Sequence, residues 1–171
     1  MDYAKSTIAD VPDFPKPGIV FKDITPMLAD AKAFNEVIET LATHYRERGV
    51  THFAGIESRG FIFAAPLAKL LNAGLILIRT PGKLPRDTFS QSYELEYGTD
   101  TLEIHQDACG PNDKIVILDD LIATGGTAAA TIALVEKTGA HVEEVAAVIE
   151  LTFLKGREKF GKTPCHALIE Y

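Results

Sequence analysis

Apolar residues along this chain fall into two rhythms. Phe34, Val37, Ile38, Leu41 and Tyr45 recur at the spacing of an amphipathic helix, and Gly49 offers it a stop. From Thr51 onward the pattern becomes strand, turn, helix, repeated. Residues 52–56 (HFAGI) read as a buried strand, ESRG as a turn, and residues 61–71 (FIFAAPLAKLL) as a helix. Residues 75–79 (LILIR) form a second short apolar strand. Residues 114–118 (KIVIL) are the clearest strand, β-branched and bounded by polar positions. A glycine-rich turn follows, then a small-residue helix over 127–138 and a strand over 142–149. Strands alternating with helices predict βαβ units, hence an α/β fold with a parallel sheet and helices on both faces. Ligands on such sheets bind beyond the carboxyl ends of the strands, where the turns after HFAGI and KIVIL both fall.

Two stretches break the rhythm. Residues 11–26 (VPDFPKPGIVFKDITP) carry four prolines and are expected to be irregular, because proline fixes φ and cannot donate to a ladder. Phe14, Ile19, Val20, Phe21 and Ile24 make the segment too apolar for disorder, so it is expected to pack. Residues 80–100 lack a core pattern and are long for a connection within a compact domain, as lids are. Within them, alternation puts Tyr93, Leu95 and Tyr97 on one side and Glu94 and Glu96 on the other, as in a hairpin.

Composition narrows the classes. A chain of 171 residues suits one domain, 1–171. Its start has neither the basic flank nor the apolar stretch of a secretory signal, and no apolar run approaches a membrane span, so a cytoplasmic place away from membranes is expected. The two cysteines, Cys109 and Cys165, lie far apart, and the five histidines show no ligand-like spacing, so no metal held directly by a protein cage is expected. A formal net charge of −7 argues against nucleic acid as partner but not against a small phosphorylated one. Backbone amides and a divalent cation can hold phosphate without net positive charge on the protein.

The strongest chemical signal is residues 116–127, V-I-L-D-D-L-I-A-T-G-G-T. A buried strand delivers two adjacent carboxylates, Asp119 and Asp120, and the loop Ala123, Thr124, Gly125, Gly126, Thr127 then opens a helix. Glycines let amides approach an anion, hydroxyls add donors, and the helix N-terminus contributes about half a positive charge. That describes a phosphomonoester cradle, with the two acids placed for the hydroxyls of a ribose. The loop is neither GxxxxGK[ST] nor GxGxxG. A bare TGGT is a tight turn as readily as a site; the strand, the acids and the helix start in register tip the balance.

Here the sequence resembles the type I phosphoribosyltransferases, whose motif for phosphoribosyl pyrophosphate (PRPP) has this hydrophobic–acidic–acidic–TGGT form. The resemblance implies that residues 123–127 hold the 5′-phosphate, and Asp119 and Asp120 the ribose diol. It narrows at Gly55-Ile56-Glu57-Ser58-Arg59-Gly60-Phe61, which looks like the pyrophosphate loop of the adenine-specific branch. Glu57, Ser58, Arg59 and Gly60 would then grip pyrophosphate; Arg59 offers a planar fork and Gly60 allows close backbone approach. P-G-I-V-F-K-D-I-T-P is similar to that branch's adenine-binding stretch, which implies that the ring packs on Phe21, that backbone groups of Val20 and Lys22 read the purine edge, and that Leu121 closes the other face. Gly82-Lys83-Leu84-Pro85 and Ser92-Tyr93-Glu94-Leu95-Glu96-Tyr97-Gly98 match its mobile lid over 80–100, with Tyr97 a lid residue and Glu96 the acid nearest the imidazole. The likeness runs from about Phe14 to the C-terminal end and includes Leu154-Lys155-Gly156-Arg157-Glu158, found in some members. Thr80 departs from it, standing where a lysine commonly follows the arginine; Lys22 and Glu57 replace an arginine and an aspartate of some relatives.

What the resemblance implies is a type I phosphoribosyltransferase core with a small N-terminal hood (1–32) and a long mobile lid, making AMP and pyrophosphate from adenine and PRPP in purine salvage. It also implies a homodimer, and Mg²⁺ carried in with PRPP or pyrophosphate. Arg59, Arg79 and Lys83 would neutralise the departing pyrophosphate, with Arg59 and Glu96 as the catalytic pair. Three rivals stay open: a transferase for guanine, hypoxanthine or xanthine; a PRPP-binding regulatory module; and a PRPP synthetase. The last two lack, respectively, a basic patch and an ATP-binding sequence here.

Overall fold

The computed structural model describes residues 1–94 and 98–171. The chain divides into two compact units, Met1–Thr43 and His44–Tyr171.

The first unit opens with α1 (Asp2–Ser6), followed by β1 (Ala9–Pro12), β2 (Val20–Asp23), α2 (Thr25–Ala29) and α3 (Ala31–Tyr45), whose last two residues belong to the second unit. α3 is the helix predicted from its periodicity; Val37, Leu41 and Tyr45 are buried along it. Much of the proline-rich stretch, expected to be irregular, is ordered: β1 and β2 pair antiparallel from Ala9↔Asp23 to Pro12↔Val20. Pro12 ends its strand, Pro15 and Pro17 lie in the turn, and Pro26 sits in the first turn of α2, where a missing N–H costs nothing. The turn is closed by the Gly18 amide donating to Asp13 Oδ1 at 2.7 Å and by Phe14 stacking edge-on against Phe21.

In the second unit the elements are β3 (His52–Ile56), α4 (Gly60–Leu70), β4 (Gly74–Ile78), β5 (Thr88–Glu94), β6 (Thr99–His105), β7 (Lys114–Ile122), α5 (Gly126–Lys137), β8 (His141–Glu150) and β9 (Cys165–Glu170). Five strands form one parallel sheet in the order β4-β3-β7-β8-β9. Central strands of such a sheet are covered on both sides, which is why HFAGI and KIVIL are continuous apolar runs. β4 lies on one side of β3 and β8 on the opposite side of β7, so right-handed crossovers put α4 and α5 on opposite faces. Side-chain alternation agrees: Ala54, Ile56, Ile115 and Ile117 share a core with Leu134 and Val135 of α5, while Phe53, Val116 and Leu118 are buried outside it.

β5 and β6 form an antiparallel hairpin from Thr88↔His105 to Glu94↔Thr99. β5 and the start of β6 fall in the stretch 80–100, which lacks a core pattern in the sequence and was expected to be a lid. Leu102 and Ile104 are fully part of the core, and Phe89 and Tyr93 pack against it. Lys137 of α5 donates to the Ser90 carbonyl at 2.7 Å, fastening the hairpin to the helix. The residues named for the lid chemistry, Glu96 and Tyr97, lie outside the described residues. Among the described residues no helix is long and apolar enough to cross a membrane.

Candidate active site

The crossovers of β3 and β7 leave in opposite directions, so the carboxyl ends of these adjacent strands flank the sheet's switch point. β3 ends at Ile56 and runs into Glu57, Ser58 and Arg59. β7 carries Asp119 and Asp120 inside its last turns of pleat: the strand continues to Ile122, past the Leu118 expected as its end, because Leu121 and Ile122 still pair with Ile149 and Glu150 of β8. A cavity of about 420 Å³ lies between these ends, lined by Glu57, Ser58, Arg59, Thr80, Tyr93, Asp100, Leu102, Asp119, Asp120, Leu121 and Thr127.

Arg59 caps α4 and reaches across to β7, its Nε 2.8 Å from Asp120 Oδ2. Asp120 is 4% exposed, so this pairing satisfies an otherwise costly buried charge. Gly60 makes the reach possible. A Cβ there would lie 2.3 Å from the Leu118 carbonyl oxygen, so any side chain would lift the helix start off β7. Asp119 accepts the Asp120 amide at 2.9 Å, and burial, followed by the adjacent negative charge of Asp120, holds its carboxyl well above the usual carboxylate range.

Glu57 gathers the start of the loop after β4. Its Oε2 accepts from the Thr80 amide at 2.9 Å, the Thr80 hydroxyl at 3.2 Å and Arg79 Nε at 3.4 Å, and its Oε1 from the Lys83 ammonium. The Lys83 bond, then the Thr80 amide, lower the Glu57 carboxyl to about 2. Arg79 and Lys83, both predicted to neutralise pyrophosphate, are thus held on one carboxylate. The Arg79 backbone is fixed by exchange of amide bonds with Glu103.

The residues predicted to hold phosphate curl into a second, smaller cavity of about 80 Å³, lined by Asp119 and residues 121–128, which include Ala123, Thr124, Gly125, Gly126 and Thr127. Gly125 caps α5 in the left-handed conformation (φ 77°), so the loop turns directly into a helix N-terminus. The Thr127 hydroxyl donates to the Tyr93 hydroxyl at 3.3 Å, and Tyr93 donates to Asp100 at 3.3 Å. Tyr93, Asp100 and Thr80 were absent from the predicted site. The first two enter through the β5–β6 hairpin, whose pairing is non-local; the only hint was the alternation around Tyr93.

Leu121 lines the larger cavity. Val20, Phe21 and Lys22 lie on β2 in the first unit, where Val20 is 49% exposed and Lys22 Nζ pairs with Asp10 at 2.6 Å. Among the described residues no group of three or more His, Cys, Asp or Glu side chains could hold a metal ion by itself.

The structure brings the loop from Ala123 to Thr127, the acid pair and Arg59 to two neighbouring cavities that share Asp119, Leu121 and Thr127. Comparison with known proteins shows the family. Residues 25–161 match the family model described as the phosphoribosyl transferase domain. An adenine phosphoribosyltransferase of Roseiflexus sp. strain RS-1 is 58% identical over 164 residues, covering 96% of this chain and 95% of the relative. The crystal structure of the adenine phosphoribosyltransferase from Thermoanaerobacter pseudethanolicus superposes with a TM-score of 0.95 at 51% identity, covering 99% of each chain. That of the Saccharomyces cerevisiae enzyme, complexed with an imino-altritol bisphosphate and adenine, gives 0.94 at 38% identity, covering 98% of this chain and 97% of the other. The chain belongs to the phosphoribosyl transferase domain family and, within it, to the adenine phosphoribosyltransferases.

Proposed function

We propose that this chain transfers the 5-phosphoribosyl group of PRPP to adenine, giving AMP and pyrophosphate, and that it does so in the cavity between the ends of β3 and β7. The observation that carries the reading is the sharing of one substrate-sized space by Arg59, Glu57, Asp119, Asp120 and Thr127, with the smaller loop cavity opening beside Asp119 and Leu121. The loop amides and the Thr124 and Thr127 hydroxyls cup the 5′-phosphate. Asp119 and Asp120 accept from the 2′- and 3′-hydroxyls, and Ser58, Arg59 and Gly60 hold the pyrophosphate.

In the reaction the C1′–O bond to pyrophosphate breaks and a C1′–N9 bond to adenine forms. Positive charge grows on the ribose ring and negative charge on the leaving group, so positioning and preorganised charge are what the protein supplies. The carboxylates of Asp119 and Asp120 favour the first, and Arg59, Arg79 and Lys83 the second. The last two are held by Glu57 in this structure and are released to pyrophosphate as it binds. Asp119 and Asp120 offer oxygen donors of the hard type that would suit Mg²⁺ carried in with PRPP or pyrophosphate. When bound, Mg²⁺ supplies Lewis-acid stabilisation of the leaving pyrophosphate. The adenine-reading roles of Val20, Phe21, Lys22 and Leu121, the proton exchange of Glu96 with N7, the part of Tyr97 in the lid and the homodimer rest on the family resemblance, and the cytoplasmic placement on the sequence's lack of a signal-like or membrane-length apolar stretch.

The test is incubation with adenine, PRPP and Mg²⁺, with AMP and pyrophosphate measured in equal amounts. Guanine, hypoxanthine and xanthine serve as competing bases. AMP formation preferred over the other three nucleotides supports the reading; preference for another base, or no nucleotide at all, overturns it.

A further inference from the structure

The phosphate loop does not stand alone. Residues 151–157, which follow β8, cross directly behind it. Their start is tied to the sheet by the Leu151 amide donating to the Ile122 carbonyl at 2.9 Å and by the Thr152 amide donating to the Tyr171 carbonyl at 3.0 Å. Their end is tied by Arg157, whose Nε donates to Glu150 Oε1 at 2.7 Å while Nη2 bonds both Glu150 Oε2 and Glu170 Oε1, the latter at 3.2 Å. Glu150 is 1% exposed, so this fork answers a buried charge and is not an optional surface pair.

Between these anchors two glycines meet backbone to backbone. A Cβ on Gly125 would lie 2.1 Å from the Gly156 carbonyl oxygen. A Cβ on Gly156 would lie 2.4 Å from the Ala123 carbonyl oxygen and 3.0 Å from the Gly125 amide nitrogen. Gly125 also needs glycine for its left-handed φ, whereas Gly156 has no positive φ and is required by space alone. A methyl group at Gly156 therefore presses on the loop's own amide and carbonyl without altering the local conformational preference. Hydrogen bonds from amides to a phosphate lose strength steeply with misalignment, so a displacement of a few tenths of an ångström at Gly125 is felt by the ligand.

We propose that Gly156, clamped by the Arg157–Glu150 pair, is a positioning residue for the 5′-phosphate: it fixes the curvature of the loop from Ala123 to Gly126 from behind, without touching substrate. The inference rests on the proposed function, which seats the phosphate in that loop.

The experiment compares KM for PRPP, KM for adenine and kcat in Gly156→Ala, Arg157→Lys, Arg157→Ala and, as a control within the loop, Thr127→Val, with thermal unfolding of each. Gly156→Ala is expected to raise KM for PRPP about tenfold, the scale of one misplaced charge-assisted hydrogen bond, and to move KM for adenine less than about twofold. Arg157→Ala is expected to act in the same direction and Arg157→Lys to restore part of the loss, since a lysine keeps the charge but not the fork. Wild-type KM for PRPP in Gly156→Ala overturns the proposal, as does an equal rise for both substrates. Should Gly156→Ala fail to fold, the arginine pair decides: an unchanged PRPP KM in Arg157→Ala overturns it. If Thr127→Val also leaves PRPP binding untouched, the seating of the phosphate itself is wrong; if Thr127→Val weakens it and the Gly156 and Arg157 variants do not, only the supporting role fails.

Discussion

Arg59 Nε sits 2.8 Å from Asp120 Oδ2, so the strand-end loop proposed for pyrophosphate and the acid pair proposed for the ribose are bonded to each other. The Arg59 side chain is 48% exposed while Asp120 is buried. The bond to Asp120 thus fixes the orientation of the guanidinium at the end of β3.

Arg59→Ala is expected to fail twice. It leaves Asp120 as an unpaired buried carboxylate, costing about 1–3 kcal/mol of stability, and it removes a donor aimed at developing negative charge, lowering kcat/KM by roughly 100-fold or more. Arg59→Lys should recover most of the melting temperature and little of the activity, because an ammonium can pair with Asp120 but cannot serve both partners. Steady-state kinetics alongside calorimetric melting separates the two effects. Full activity in the lysine variant would show that the fork is not needed.

Glu57 offers a pH test. Lys83 first, and then the Thr80 amide, lower its carboxyl to about 2 from an ordinary 4.5. A group depressed in the folded state stabilises it wherever the unfolded group is ionised, so the contribution is complete above about pH 4.5 and fades as pH falls from there toward 2. Wild type should therefore exceed Glu57→Gln by about 1 kcal/mol at pH 7, a modest figure because Lys83 is well exposed. Denaturant titrations at pH 7 and pH 3.5 should show that gap narrowing at the lower value. A gap that widens on acidification would contradict the assignment of the shift to these cations.

Part of this was legible in the residues alone. Strands buried on both faces are continuous apolar runs, which is why β3, β7 and β8 announced themselves, while the edge strand β4 is apolar although Leu75 and Leu77 on one face are exposed. The glycine-rich turn between β7 and α5 was equally plain, since glycines and hydroxyls at a strand-to-helix junction are local chemistry. Three things were hidden for physical reasons. The β1–β2 hairpin is short and bounded by prolines, which mark turns before they mark strands. In β6 only Leu102 and Ile104 of seven residues are buried, so its polar alternation carries little signal. The partnership of Arg59 with Asp120, of Glu57 with Lys83 and of Thr127 with Tyr93 depends on strand order, and strand order is not written in any window of sequence.

Asp119 should trade stability for binding. Burial, and then the charge of Asp120, push its carboxyl well above 3.8. A carboxyl raised in the folded state disfavours folding increasingly as pH climbs from the unfolded value, levelling off above the folded one. Asp119→Asn removes that penalty while keeping the shape. The variant is expected to melt a few degrees higher than wild type at pH 7.5, with the difference shrinking toward pH 4. Its KM for PRPP should rise about tenfold or more, for want of a charged acceptor to the ribose. A variant that melts lower at every pH would show that the charge is already compensated.

Glu96 is the sharpest chemical test the sequence offers, though it lies outside the described residues. If N9 of adenine attacks C1′, the imidazole must shed a proton from N7, and the family likeness names Glu96 as the acceptor. Glutamine keeps the size and the hydrogen-bonding reach of that side chain and removes only its ability to take the proton. Glu96→Gln should therefore lower kcat by about 10²–10⁴-fold, the usual range for a general acid–base group, while KM for PRPP stays within about twofold. The pH profile adds a readout that a folding role cannot imitate. Wild-type kcat should fall on the acidic side as the carboxylate protonates, and in Glu96→Gln that limb should vanish. Loss of PRPP affinity in proportion to kcat, or an acidic limb that survives the substitution, would move the proton to another acceptor.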